Sequence, residues 1–280
     1  MPDGVPARDE AFPPAEPGMN KPVGRWTRYE RPVIGLTAVG AVLCLWEAVC
    51  RSGAIKPIFL SSPSRIVATA VQMLASGELL EHLRVSGAEF LVGYALALTA
   101  IPIGLVTGWY RRLNFALDPF LTALYVTPRV ALLPLIFLWI GIGLWSKVAI
   151  VFLGAFFPIC VSTIAGVRTV DRVHLRVGRS FLATRWRLFL TIVLPSCVPF
   201  ILAGLRLGVG RALVGVVVGE LYGATAGVGY LISAAGSGFE TDKVFVGVAV
   251  LGTFGVLCNE VLVWLERRVE AWRPAVGAGQ

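Results

Sequence analysis

Six apolar runs, each about as long as a bilayer is thick, constrain this chain more than any other feature. A helix crossing the hydrocarbon core needs roughly 20 apolar residues. The runs fall at about 32–50, 83–109, 118–140, 146–167, 198–221 and 244–265, and the third contains Pro128 and Pro134. Only 15% of the residues are charged and 56% are hydrophobic. Soluble domains carry about 25% charge. With a mean hydropathy of +0.76, lipid rather than water is the solvent that suits this chain. The expectation is an all-α integral membrane protein with six transmembrane helices.

The net charge of +8 is explained by where the basic residues stand. With the N-terminus inside, one side holds residues 1–31, 110–117, 168–195 and 266–280, which include Arg25, Arg28, Arg31, Arg111 and Arg112. The other side holds Arg51, Lys56, Arg65, Arg84, Lys147 and Lys243. Basic residues accumulate in cytoplasmic connections, so both termini are expected in the cytoplasm. A charge spread over short connections orients helices and does not point to nucleic acid.

The domain reading has three parts. Residues 1–31 are polar and proline-rich, read as a disordered cytoplasmic tail whose last residues form a basic lead-in. Residues 32–265 form the membrane domain, and residues 266–280 a cytoplasmic C-terminal tail. No small-residue cleavage site follows the first run, so that helix is expected to be retained. Residues 51–82 form a long outer segment in which Ser62 or Ser64 can cap a short helix ending near Ala75. The Gly- and Ala-rich stretch 222–241 is too short for a span and suits a re-entrant or surface segment on the outer side.

Catalytic constellations are missing from the sequence. The five cysteines form no C-x-x-C and read as small buried hydrophobes. His82 and His174 stand far apart, outside any metal-ligand spacing. No G-x-x-x-x-G-K-[ST] loop is present, so this chain is not expected to hydrolyse ATP. It reads as a non-enzyme that binds no cofactor or metal of its own.

The inner connection 168–195 is patterned differently from the others. Asp171 and Thr184 can each cap a short helix. Val173, Val177 and Phe181 recur at i, i+4 and i+8; Trp186, Phe189, Leu190 and Val193 recur at i, i+3, i+4 and i+7. Arg168, Arg172, Arg176, Arg179, Arg185 and Arg187 surround these stripes. Two short helices, basic on one side and apolar on the other, are suited to docking a partner.

This loop resembles the "EAA" loop of permease subunits of bacterial ABC importers. That pattern has a Glu-Ala-Ala triplet, a glycine four residues after the last alanine, and a late Ile-x-Leu-Pro. Ile192-Val193-Leu194-Pro195 matches its end, while Arg176-Val177-Gly178 stands at the triplet and Leu182 at the glycine. Thr127-Pro128-Arg129-Val130-Ala131-Leu132-Leu133-Pro134-Leu135, Trp139-Ile140-Gly141-Ile142-Gly143, Gly204-Leu205-Arg206-Leu207 with Val218-Gly219-Glu220, and Gly227-Val228-Gly229-Tyr230-Leu231-Ile232 are similar to the nitrate, sulfonate and taurine branch.

The resemblance implies a type I importer permease fold in the cell (inner) membrane. It implies two permease copies, a homodimer or a heterodimer with a second permease, above a cytoplasmic ATPase dimer that binds ATP and Mg. It also implies an external binding protein that delivers a small solute of the sulfonate, taurine, nitrate or bicarbonate kind. Arg176, Val177, Gly178, Phe181, Leu182, Ala183, Trp186, Phe189, Ile192, Leu194 and Pro195 are then the ATPase-coupling residues. An ion-gradient-driven secondary transporter is the alternative. Internal repeats and matched broken helices would mark that class, and none is evident.

Three arginines, Arg129, Arg206 and Arg211, lie within apolar runs. A mid-membrane arginine costs about 2.5–3.5 kcal/mol on the insertion scale and must face a polar cavity or an acidic partner. Glu47, Glu89, Glu220 and Glu260 are the candidate partners. The cavity reading makes Arg129, Arg211 and Glu220 translocation-path residues, while the other reading makes the arginines internal ion pairs. Gly104-x-x-x-Gly108, Gly204-x-x-x-Gly208 and Gly215-x-x-x-Gly219 are candidates for close helix approach, including approach between copies.

Overall fold

The computed structural model describes residues 25–269, and all regular elements among them are helical. The tail readings at 1–24 and 270–280 lie outside the described residues. The chain divides into a unit ending at Ala48 and a unit beginning at Val49. The first unit carries most of helix α1 (Arg25–Arg51). Its basic lead-in, 25–31, is already helical.

Five helical stretches have the length and apolarity of a span: Val33–Arg51, Glu78–Trp109, Leu144–Arg168, Arg185–Gly223 and Thr241–Arg268. The sixth is a broken pair, Arg111–Val126 and Arg129–Ile140, bent by 92°. The break sits at Pro128 and has a local cause. A residue before proline is driven out of the α region, and Thr127 accordingly has ψ 126°. Helix α5 (Arg111–Val126) stops there. A 3₁₀ turn (Arg129–Leu132) and helix α6 (Leu133–Ile140) follow, with Pro134 in the first turn of α6, where its missing N–H is harmless. Residues 111–117, read from sequence as a connection, belong to α5.

The centre of the second unit is helix α7 (Leu144–Arg168), which packs along α10 (Leu194–Gly223), α3 (Glu78–Ala97) and α4 (Ala100–Trp109). Helices in lipid gain little from apolar burial against one another, so close packing must hold them. Glycines permit it. A Cβ on Gly93 would lie 2.7 Å from Val151 of α7, one on Gly104 2.8 Å from Thr163, and one on Gly204 2.8 Å from Ser162. The small-residue pairs named from sequence therefore serve packing onto α7 within one chain. Phe90, Ile159, Leu202 and Val209 fill the core between these helices.

The elements between the long helices are short. Helix α2 (Pro63–Ala75) starts at Ser62, whose Oγ accepts from the Arg65 N–H at 3.4 Å. Of the two serines considered, Ser62 is therefore the cap. Helix α11 (Val228–Ser237) packs on α10 and on α12 (Thr241–Val269). Arg65 and Asp242 join α2 to the start of α12 at 2.6 Å. The connection 168–195 holds α8 (Arg172–Ser180) and a single-turn helix α9 (Arg185–Leu188). A π-helical turn (Phe189–Val193) then runs straight into α10. The fifth span therefore begins earlier than residue 198.

Candidate functional site

The break in the third span opens a cavity of about 350 Å³ against α7 and α10. Arg129 enters it from the 3₁₀ turn and Arg211 from the middle of α10. Among the described residues neither arginine forms an ion pair. The Nε of Arg129 is buried without a hydrogen-bond partner. No acidic side chain lines the cavity; Tyr125 and Thr127 supply its hydroxyls and Ile150, Val214 and Val218 its apolar wall. Gly154 lines it too, and a Cβ there would lie 2.8 Å from the backbone oxygen of Arg211. Two positive groups thus share one space with nothing to neutralise them. Such a space attracts an anion.

Arg206 has the other fate. It is ion-paired with Glu266 of α12, an acid that the sequence reading had placed in the tail. Glu220 is not at the cavity. It is 1% exposed, and its carboxylate is fully engaged: Oε1 accepts from Ser86 Oγ at 2.5 Å and Oε2 from the Gly229 N–H at 2.5 Å. Ser86 Oγ in turn accepts from the Val228 N–H at 2.7 Å, and His82 Nδ1 accepts from the Gly227 N–H at 3.1 Å. Three consecutive N–H groups at the start of α11 are therefore held by side chains of α3 and α10. Free helix N-termini need such partners, and here they fix the start of α11.

Beside this cluster Lys147 Nζ meets Glu89 Oε1 at 3.0 Å, with the two side chains 8% and 1% exposed. Sequence reasoning counted Lys147 among the outer connection charges. The structure buries it three residues into α7, paired across to α3. A lone lysine at the edge of one apolar run and a lone glutamate inside another were the available signal.

The connection 168–195 is built as a turn between two capped helices. Asp171 Oδ1 accepts from the Val173 N–H at 2.7 Å and Thr184 Oγ1 from the Arg187 N–H at 3.3 Å. At the end of α8 the Leu182 N–H donates to Arg179 O at 2.9 Å and the Ala183 N–H to Gly178 O at 3.2 Å. This is the Schellman pattern, which calls for a left-handed residue, usually glycine. Leu182 takes that role itself, with φ +54°. The sequence suggests that Ala183-Thr184 would make the turn instead; the two hydrogen bonds outweigh the local strain. A left-handed non-glycine residue costs about 1–2 kcal/mol. Leu182→Gly should therefore leave the loop fold intact and raise thermal stability by up to about 1 kcal/mol, net of the flexibility glycine brings. A lower melting temperature for the purified permease would contradict the strain argument.

The loop also sorts its apolar residues. Phe181, Leu182 and Trp186 are 82%, 91% and 68% exposed. Leu188 and Val193 are buried. Gly178 lies against Leu188 and Ile192. Phe189 is half-buried and packs edge-on to Trp109 at 5.5 Å, with Trp186 stacked on it at 5.8 Å. Arg176 and Val177 are exposed on α8. Leu194 and Pro195 sit at the root of α10, where they help wall a groove beneath α8.

Residues 100–271 match the model of the binding-protein-dependent transport system inner membrane component family. The chain belongs to that family. It is 36% identical over 85% of its length to SsuC of Bacillus subtilis, named as an aliphatic sulfonates transport permease, and covers 87% of that protein. It is 31% identical over 90% of its length to the taurine transport system permease TauC of Escherichia coli, covering 94% of it. A crystal structure of an amino acid ABC transporter with histidines superposes with a TM-score of 0.51 at 15% identity, over 68% of this chain and 97% of that one. That likeness concerns the fold, the type I permease fold. This member is thus a multi-pass membrane subunit of an ABC transporter and not an enzyme. Its family implies an ATPase and a binding protein as partners.

Proposed function

We propose that this chain forms the translocation path for a small organic anion, delivered by an external binding protein and driven by an ATPase pair docked on residues 172–195. The observation that carries the anion is the meeting of Arg129 and Arg211 in one cavity without an acidic side chain. Mid-membrane cationic residues mark solute paths. The names of SsuC and TauC, sulfonate and taurine permeases, are consistent with it. ATP and Mg belong to the ATPase, and this chain contributes the docking surface. Both termini lie on the cytoplasmic side, so that the basic docking loop faces the ATPase.

Two copies of this chain make the path. The loop closes its turn in spite of Leu182 and keeps both caps, so it does not need an unlike permease to supply a sound docking surface. ATP-driven closure of the ATPases then shifts the pair between inward- and outward-facing states.

Arg211→Gln should cut transport into proteoliposomes roughly tenfold or more, the loss expected for one charge-assisted hydrogen bond, with the folded complex recovered in normal yield. In the same preparation native mass should give two copies of this chain. Undiminished transport by the variant would remove the arginine from the path, and loss of folded protein would make it structural.

A further inference from the structure

Helix α2 is too short to cross a bilayer. Its 13 residues extend about 20 Å at the helical rise, and a span needs roughly 20 residues. Its side chains nevertheless fall into three stripes of helical spacing. Ile66, Ala70 and Met73 form the first, and Ile66 and Met73 are buried against the bundle. Arg65, Thr69, Gln72 and Ser76 form the second, which is polar throughout. Val67, Val71 and Leu74 form the third. The third turns away from the protein, its members 63%, 59% and 53% exposed. At 3.6 residues per turn the apolar and polar stripes stand about 160° apart, with the buried stripe between them on one flank.

The place of α2 in the fold gives these stripes a setting. It packs on α3 and α12, at the heads of the long stretches Glu78–Trp109 and Thr241–Arg268. Polar links gather there. Arg65 meets Asp242 at 2.6 Å, Lys243 meets Glu78 at 3.3 Å, and Thr241 Oγ1 donates to the Ile58 carbonyl at 2.5 Å. Charges collected at the first turns of two spanning helices mark the level where hydrocarbon gives way to water. A helix held at that level, aliphatic on one side and polar on the opposite side, has the form of one that lies in the membrane surface. Charge points the same way. Residues 51–77 contain Arg51, Lys56 and Arg65 and no acidic residue, which complements the phosphates of a lipid layer. Two valines and a leucine, without an aromatic or arginine anchor among them, make a poor docking face for a protein.

We propose that α2 is an interfacial helix seated in the headgroup layer of a phospholipid membrane, with Val67, Val71 and Leu74 against the acyl chains and Arg65, Gln72 and Ser76 toward water. Arg65 and the Ile58 carbonyl tie this segment to α12, so the membrane surface holds the head of α12, on which α11 packs. This role is independent of the solute and of the ATPase.

The test uses the complex of this permease with its ATPase in nanodiscs of phosphatidylcholine and phosphatidylglycerol. Alanine replaces the five native cysteines, and a nitroxide is attached to single cysteines introduced along α2. Labels at positions 67, 71 and 74 should collide with oxygen, which concentrates among acyl chains, roughly threefold or more in preference to a water-soluble nickel complex, and labels at 72 and 76 should show the reverse. Equal access of the nickel complex at all five positions would overturn the proposal. So would labels at 67, 71 and 74 shielded from both reagents, because protein then covers the stripe. A second measurement needs no substitution and decides the matter if the cysteine-free protein does not fold. Phospholipid carrying a diazirine in its acyl chain, photolysed around the native complex, should mark the tryptic peptide Ile66–Arg84 at Val67, Val71 or Leu74. Marks confined to the α3 part of that peptide, or none on it, would overturn the proposal.

Discussion

Lys147→Met should strip this protein of about 3–5 kcal/mol of stability, the usual result of removing one member of a buried ion pair. Glu89 would be left 1% exposed with no counter-charge, between α3 and α7. The neighbouring carboxylate of Glu220 would make this worse, since Lys147 also offsets its charge. The double variant Lys147→Met, Glu89→Leu should recover most of the loss, because an apolar pair of similar volume replaces a buried ion pair at little cost. Glu220 would keep its bonds from Ser86 and Gly229. Thermal unfolding in detergent measures both. Single and double variants of equal stability, or a single variant as stable as the parent, would show that the pair is not what secures α3 to α7.

The second large effect concerns the docking loop. Phe181→Ala with Trp186→Ala should lower ATPase association on the order of 100-fold or more, the scale of two interface anchors, while the permease stays folded. Both side chains point away from the protein and leave an apolar patch ringed by arginines, as a docking surface should. Phe189→Ala should behave differently. Phe189 packs on Trp109 of α4 and supports Trp186, so its loss should reduce the stability of the permease before it affects the partner. Pull-down and unfolding, measured on the same three proteins, separate the two roles. Unchanged co-purification of the double variant would move the docking surface elsewhere.

Much of this architecture is legible in the chain because membrane insertion depends on local composition. A run of apolar residues must become a helix in lipid, since no water is there to satisfy the backbone. The six runs, the break at Pro128, a capping serine at 62 or 64 and the two caps at Asp171 and Thr184 all follow from short stretches of sequence. Arg129 and Arg211 could be named as exceptional because an arginine in an apolar run is anomalous wherever it points.

What the sequence could not determine was who pairs with whom. Arg206, Arg129 and Arg211 have similar local surroundings, yet Arg206 finds Glu266 and the other two share a cavity. Lys147 stands at the edge of its run like any connection charge, and only the approach of α3 makes it a buried partner of Glu89. Glu220 could not be assigned to the cavity or to α11 until the fold brought the Gly229 N–H to its carboxylate. Leucine is intrinsically disfavoured in a left-handed turn. In the folded loop two backbone hydrogen bonds hold it there. Helix formation is decided within a run of about 20 residues, but a charge between helices is settled by the one neighbour that packing delivers from a different helix, as Glu89 is for Lys147 and Glu266 for Arg206. The sequence by itself determined the helices and marked the anomalous charges; the tertiary structure alone decided which of those charges neutralise one another and which remain free to meet a solute.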